Sequence, residues 1–465
     1  MPLSIKYFRI SSNLAISLTY ARYTLWWMAA LAFAPILVFG ANGTVILLAL
    51  IALAAPGFKT WRTAVYDLAR TPIGWAMGGL LVLATTSLAW APAPEVAVDK
   101  LLRLVILWLV GCAAMAAVNR AKDEVIKWMI RLLPLGVCLA LLFYWVELAT
   151  SARIITAITG LQAVMQARFP TAEAQEQFRL IYGFGAISRG AGLLALFVWP
   201  AMAACVIQFP AKGKWLASAM AIAVFLTVAP LPMQAAPLAM GVGGLAFAWI
   251  WYTPKTAPRW MAAMVILLTG VMPFISYSIS RPEVLGIEKH HLPGSWQHRV
   301  EIWHFAAQRI AEKPILGWGF DASRNIDAGK TQFVLEQPDG SEVIFPGIGL
   351  LPLHPHNGVL QAWLEMGAIG ALLVMLLIFG LANKLTYIIT DYGRMAGAMT
   401  AASIASALCV GLLSFGQWQS WWQASLWISA LLCSGVLRAL SPCPDRIESP
   451  QAILSDPDRG YLRNL

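Results

Sequence analysis

Long apolar runs separated by short polar connections dominate this chain. They lie near residues 24–40, 43–57, 72–91, 101–118, 129–150, 190–208, 214–230, 232–252, 259–278, 357–383, 395–416 and 419–439. Most approach the roughly 20 residues that a helix needs to cross a bilayer's hydrocarbon core. The runs are continuous and do not alternate, which excludes the strands of an outer-membrane barrel. The pattern predicts an all-α polytopic membrane protein with about twelve transmembrane helices and a large loop between the ninth and tenth. The first two runs are short, with a tight hairpin expected from Gly40 to Gly43.

Composition agrees. Of 465 residues, 59% are apolar and 12% charged, with a mean hydropathy of +0.67. A soluble chain is about 45–50% apolar and about 25% charged. A soluble enzyme, a disordered chain and a nucleic-acid-binding module are excluded, despite a net charge of +10.

Charge orients the spans. With the N-terminus in the cytoplasm, the inward segments carry Lys6, Arg9 and Arg22, then Lys59, Arg62 and Arg70, then Arg120, Lys122 and Lys127. Lys212 with Lys214, Lys255 with Arg259, and Lys384 with Arg394 follow. The short outward connections are nearly free of cations, apart from Lys100 and Arg103 beside one of them. This is the positive-inside pattern. It divides the chain into a cytoplasmic tail (1–23), nine spans with an outward segment at 151–189 (24–279), a large outer loop (280–356), three spans (357–440) and a polar cytoplasmic tail (441–465). The first apolar run has no small-residue cleavage site after it and is read as an anchor. Cys112, Cys138, Cys205, Cys409 and Cys433 lie in spans and Cys443 in the tail, so they are read as packing residues without disulfides.

The chemistry collects outside. All six histidines, His290, His291, His298, His304, His354 and His356, fall in the large loop, and histidine exchanges a proton near neutral pH. Arg153, Arg168, Arg179, Arg189, Arg281, Arg299, Arg309 and Arg324 are also outward, as long translocated loops permit. They are either a solvated basic surface or an anion site. SWQHRVEIWHFAAQRIAEKP reads as a helix capped by Ser295 and ended near Pro314. Val300, Trp303, Ala307 and Ile310 form its apolar stripe, with Arg299 at the edge and Arg309 and Lys313 solvated. GWGF, Gly317 to Phe320, reads as a turn.

HPHNGVLQAWLEMGAIG, His354 to Gly370, is the most informative stretch. Pro355 breaks structure and Asn357 can cap the tenth span, placing His356 at a helix N-terminus. The positive end of that helix disfavours imidazolium and favours a bound phosphate. A neutral base beside a phosphate suits group transfer from a phosphate ester to a hydroxyl. The HxH pair also raises a metal reading, weakened by Pro355 and the scarcity of carboxylates, and a purely structural His356 is a further alternative. Glu365, inside the span, is either functional or paired with a polar neighbour.

The stretch resembles the signature of the bacterial O-antigen ligase and polymerase superfamily: His356, Asn357, nine residues, then Gly367-Ala368-Ile369-Gly370. Arg299 with Trp303, then PILGWGF, is similar to that family's Arg–Trp helix and glycine-rich turn. SRGAGLLALFVWP, with Arg189, resembles its arginine-bearing sixth span. Many members carry Ser–Arg at the start of the eighth span, where this chain has Gln234. The resemblance implies inverting, metal-independent glycosyl transfer at the periplasmic face of the bacterial inner membrane, with no cofactor. Its donor would be a glycan on undecaprenyl pyrophosphate, and its acceptor lipid A–core in the ligase branch or another glycan in a polymerase. On this reading His356 is the general base and Arg189 and Arg299 bind the pyrophosphate. His354, Asn357, His298 and Trp303 are second-rank site residues, and no residue is assigned to a metal. A protein O-oligosaccharyltransferase is a third branch. A twelve-helix transporter is disfavoured, because transporters keep their charges near the midplane.

Overall fold

The computed structural model describes residues 3–55, 57–168, 171–279, 292, 294–336, 339 and 341–440. His290, His291, Arg281 and the C-terminal tail with Cys443 lie outside the described residues. Among the described residues, eight helices are long and apolar enough to cross a membrane. One of them, Gly358–Leu413, has 56 residues and covers both the tenth and eleventh expected spans. At about 1.5 Å per residue it is more than twice the length a bilayer needs. Gly367 and Gly393 interrupt it with non-helical backbone. Three further expected spans are shorter apolar helices: Gly43–Leu53 with 11 residues, Pro72–Ser87 with 16 and Gly213–Val228 with 16. The chain is thus a helical multi-pass membrane protein whose one sheet among the described residues is a two-stranded hairpin in the large loop, and each of the twelve apolar stretches carries helix.

In chain order the elements used below are α1 (Leu3–Phe39), α2 (Pro72–Ser87), α3 (Pro94–Asn119), α4 (Asp123–Ala149), α5 (Phe184–Gln208), α6 (Ala235–Tyr252), α7 (Gly294–Glu312), α8 (Gly358–Leu413) and α9 (Ser420–Leu440). The hairpin of β1 (Gln332–Glu336) and β2 (Glu342–Gly349) is antiparallel with a register shift near its open end. The tight turn expected at Gly40 to Gly43 is present, closed by Gly43 N–H donating to Gly40 O at 2.7 Å.

The segment 151–189 differs from the expected loop. It folds as short helices, Arg153–Ile158, Leu161–Arg168 and Ala172–Phe178, and a π turn at Arg179–Gly183 leads into α5. Its polar residues are strong helix formers, AEAQEQF among them, and Thr171 caps the last short helix by accepting from Ala174 N–H.

α5 is the central helix, buried almost continuously from Ile187 to Cys205. Between membrane helices the driving force is close packing of small residues, because lipid is as apolar as leucine; Ala191, Ala195, Ala201, Ala203 and Ala204 supply them here. Tyr144 Oη lies within hydrogen-bond distance of Leu37 O and Ile187 O, fastening α1, α4 and α5 together. Connections expected on one side of the membrane meet at one end of this bundle. Phe320 N–H donates to Ser87 Oγ, and Arg299 reaches Leu413 O. At the opposite end, Arg438 binds the carbonyls of Val118, Asn119 and Ala121.

Candidate functional site

The site is built where α8 begins, and its backbone is constrained. His356 has φ +52°, a left-handed conformation that costs a side chain about 1 kcal/mol or more. Three contacts hold it there. Asn357 Oδ1 accepts from Val359 and Leu360 N–H, the expected cap. His356 N–H donates to His354 Nδ1 at 3.2 Å. Trp303 Nε1–H, from α7, donates to Pro355 O at 3.0 Å.

The side chain is equally fixed. His356 Nδ1–H donates to Ser414 O at 2.8 Å. That bond sets the tautomer and leaves Nε2 as a lone-pair acceptor. Arg299 Nε–H donates to the adjacent carbonyl, Leu413 O, at 3.3 Å, and its Nη1 to Ser295 O. Two neighbouring carbonyls at the end of α8 therefore set the imidazole beside the guanidinium. Burial first, and the Arg299 charge second, pull the His356 pKa down to about 4, against the opposing bond to Ser414. Neutrality therefore comes mainly from desolvation and a cation, where the sequence suggested the helix dipole. Burial also lowers Arg299 below its ordinary value, leaving a poorly hydrated cation ready to meet an anion.

The second-rank residues divide. His354 is buried, its ring 4.4 Å from that of His356, and burial and the neighbouring imidazole push it down to about 3. Its role is to pin the His356 backbone. His298 Nε2–H binds Gly349 O and its ring packs on Phe333, which ties α7 to the hairpin; burial lowers its pKa. His304 stacks instead on Tyr277. Arg309 pairs with Glu312, and Lys313 covers Trp318.

Arg189 is exposed on α5 and makes no hydrogen bond or ion pair with His356 or Arg299. It lies one turn from Gly192, which packs against Phe415, the residue after Ser414, and against Met233. Gln234, next to Met233, is exposed at the start of α6. Sixth-span and eighth-span positions thus border the turn that carries the His356 partner, without direct contact.

Two readings of α7 are corrected. The helix starts at Gly294, so Ser295 lies inside its first turn and offers its carbonyl to Arg299. The buried face runs through Ile302, Phe305, Ala306, Ala307 and Ile310, so Ala307 and Ile310 of the expected stripe are buried, with Trp303 and Val300 half-buried beside them. The helix packs on segment Ala257–Ile279 and on α8, which widens the buried face beyond the stripe that spacing suggested.

The reason for GWGF and for the glycines after His356 was missed in the sequence. Gly317 and Gly319 have φ +68° and +102°, and Gly367 has φ +63°. At Gly367 α8 breaks, and segment 314–319 lies along the break. Trp318 and Gly319 N–H donate to Leu364 O and Glu365 O, at 2.8 and 2.9 Å. Ala368 and Ile369 N–H donate to Pro314 O and Ile315 O. Broken helix at membrane depth is tolerated where protein satisfies its backbone. A Cβ on Gly317 would meet Glu365 C at 2.5 Å, and one on Gly367 would meet Ile315 O at 2.2 Å. Glu365, fully buried at the break, accepts four hydrogen bonds: Asp321 N–H, Ser323 Oγ–H, Gln361 Nε2–H and Trp418 Nε1–H. It pairs with polar neighbours, the second of the two readings offered for it. Gln361 Oε1 in turn accepts Gln417 N–H, so the same group braces the 414–419 turn. Among the described residues no three His, Cys, Asp or Glu side chains are grouped to hold a metal ion.

A multi-pass membrane protein with a neutral histidine and a half-buried arginine at one end of its bundle is the class that fold and site define. The family model described as O-Antigen ligase matches residues 215–375, which hold Arg299, Trp303, the GWGF turn, His356 and the Gly367 break. The chain is similar to proteins named "Putative polysaccharide ligase" in three rickettsiae. In Rickettsia conorii it is 29% identical over 257 residues, 55% of this chain and 59% of that protein. In Rickettsia felis and Rickettsia prowazekii it is 28% identical over 256 residues, 55% of this chain and 60% of each protein. The chain spans about three fifths of the length of these relatives. The matches bear out the resemblance to the O-antigen ligase superfamily.

Proposed function

We propose that the protein is a glycosyltransferase of the O-antigen ligase kind. It moves a glycan from undecaprenyl pyrophosphate to lipid A–core on the periplasmic face of the bacterial inner membrane, with both termini cytoplasmic. The observation that carries this reading is the fixed tautomer of a neutral His356 beside Arg299. The acceptor hydroxyl gives its proton to His356 Nε2 as its oxygen bonds to the donor's anomeric carbon. The bond from that carbon to the phosphate oxygen breaks, and undecaprenyl pyrophosphate leaves with its charge held by Arg299 and, from the rim of α5, Arg189. One displacement with no covalent enzyme intermediate inverts the anomeric carbon. No metal or cofactor enters these steps.

Purified protein, lipid-linked glycan and lipid A–core, with EDTA present, test the reading. Transfer to lipid A–core is expected, with His356→Ala and Arg299→Ala each lowering the rate at least about a hundredfold, the scale of a lost general base or oxyanion contact. Chain growth without lipid A–core would make the protein a polymerase using the same chemistry. Transfer to a serine or threonine would make it a protein O-oligosaccharyltransferase. Loss of transfer on adding EDTA, or a glycan trapped on the protein, would overturn the mechanism.

A further inference from the structure

The last carbonyls of a helix have no partner within the helix, and at the end of α8 side chains take them. Leu413 O accepts from Arg299 and Ser414 O from His356. The carbonyls that flank this pair, Gly411 O and Phe415 O, both accept from one amide, Gln417 Nε2, at 3.3 Å each. An amide nitrogen carries two hydrogens, and here they bridge the turn across Leu413 and Ser414.

Gln417 is itself held. Its N–H donates to Gln361 Oε1 at 2.8 Å, and its carbonyl accepts from Gln423 Nε2 at 2.7 Å. Gln423 Oε1 in turn accepts Trp108 Nε1–H, from α3. Room for the amide comes from Gly358, the residue after the Asn357 cap, because a Cβ there would meet Gln417 Nε2 at 2.3 Å. A Cβ on Gly416 would meet His354 Cδ2 at 2.7 Å, so the turn also lies against His354.

A catalytic base needs a partner that orients it. For His356 that partner is a backbone carbonyl, so its direction is set by whatever holds the turn. The Nδ1–H bond strengthens as the ring takes up the acceptor's proton, since a charged donor binds a carbonyl more strongly than a neutral one. Ser414 O therefore helps the transition state more than the bound substrates, which is the condition for raising kcat without changing KM.

We propose that Gln417 is a positioning residue of this site: its amide fixes the direction of Ser414 O and, through it, the tautomer of His356. The consequence for turnover rests on the transfer reading, whereas the tautomer is read without it. Full-length protein isotopically labelled at histidine nitrogen, in lipid, would be compared by solid-state nitrogen NMR with Gln417→Met and Gln423→Met. The His356 signals are those lost in His356→Ala. Near neutral pH the wild-type ring should carry its proton on Nδ1 alone. Gln417→Met, which keeps the length of the side chain and removes the donor, should add an Nε2–H population. Its kcat should fall about tenfold or more, part of the roughly hundredfold or more that a general base supplies, at unchanged acceptor KM. Gln423→Met removes the bonds to the Gln417 backbone and Trp108, and should lower Tm while leaving tautomer and kcat as in wild type. If Gln417→Met does not run as a monodisperse peak, Gln417→Asn, whose amide is one methylene short of the turn, supplies the same comparison. An unchanged tautomer in the folded Gln417 variant, or the same loss in the Gln423 variant, would overturn the assignment. The expected tautomer shift with no transfer by wild type would keep Gln417 as the residue that sets His356 and remove the transfer reading.

Discussion

α8 breaks twice at glycine, and the two breaks are built differently. Gly367 and Gly393 both have positive φ, +63° and +85°. Around Gly393 a Cβ would meet nothing within 4 Å. It is an open turn that reverses the chain between two spans, and glycine is needed there only for its backbone freedom. Around Gly367 the GWGF segment lies in van der Waals contact, and four backbone hydrogen bonds cross the break. Gly393 connects; Gly367 joins the large loop to the membrane bundle and fixes Glu365 and the 414–419 turn behind His356. The same local conformation serves different ends according to what packs on it.

The largest expected effect comes from filling the packed break. Gly367→Ala must move Ile315 O, 2.2 Å from the new Cβ, as well as strain its own φ. It should abolish transfer and lower the yield of monodisperse protein in size-exclusion chromatography. Normal activity in Gly367→Ala would mean that the two strands of backbone are not bound to one another. Next comes Glu365→Leu, which leaves four donors without an acceptor. At about 1–3 kcal/mol for each unsatisfied group, a large drop in Tm is expected, with Glu365→Gln falling between the variant and wild type.

A smaller and reversible effect separates the two regions by pH, since the buried histidines stand only near the Gly367 break. With His356 held down to about 4, the base stays neutral, and the rate should be flat from pH 6 to 8. The unfolded chain takes up a proton near the ordinary value of 6.5, whereas the folded one does so near 4. Stability is therefore complete above 6.5 and falls as the pH drops from there towards 4. Thermal melts across that range check the sign; stability rising on acidification would contradict the buried neutral ring. The smallest effect is expected for Gly393→Ala, which meets no neighbour and carries only the backbone cost of a conformation that glycine alone adopts readily, φ +85° with ψ 177°, about 1–3 kcal/mol. Its Tm should shift by a few degrees with transfer unchanged.

Much of this protein was legible from its residues. The apolar runs marked the helices because a bilayer accepts only backbone whose hydrogen bonds close locally, and His356 with its Asn357 cap was visible in HPHNG. Local signals misled where helix propensity overrode polarity, as at 151–189, and fell short where neighbours on two sides widened the buried face of α7. Arg299 stands beside His356, yet its partner, Leu413 O, lies 114 residues away and leaves no local trace.

Sequence by itself therefore determined which segments are helices, where the polar chemistry collects and which histidine stands at a helix start. Those properties depend on near neighbours in the chain and on the solvent each segment meets. Only the tertiary structure decided that Ser414 O fixes the tautomer of His356, that Gly317 and Gly367 abut, and that Glu365 satisfies four donors. These pairings join segments far apart in sequence through close contact and buried hydrogen bonds, whose geometry exists only once the bundle has packed.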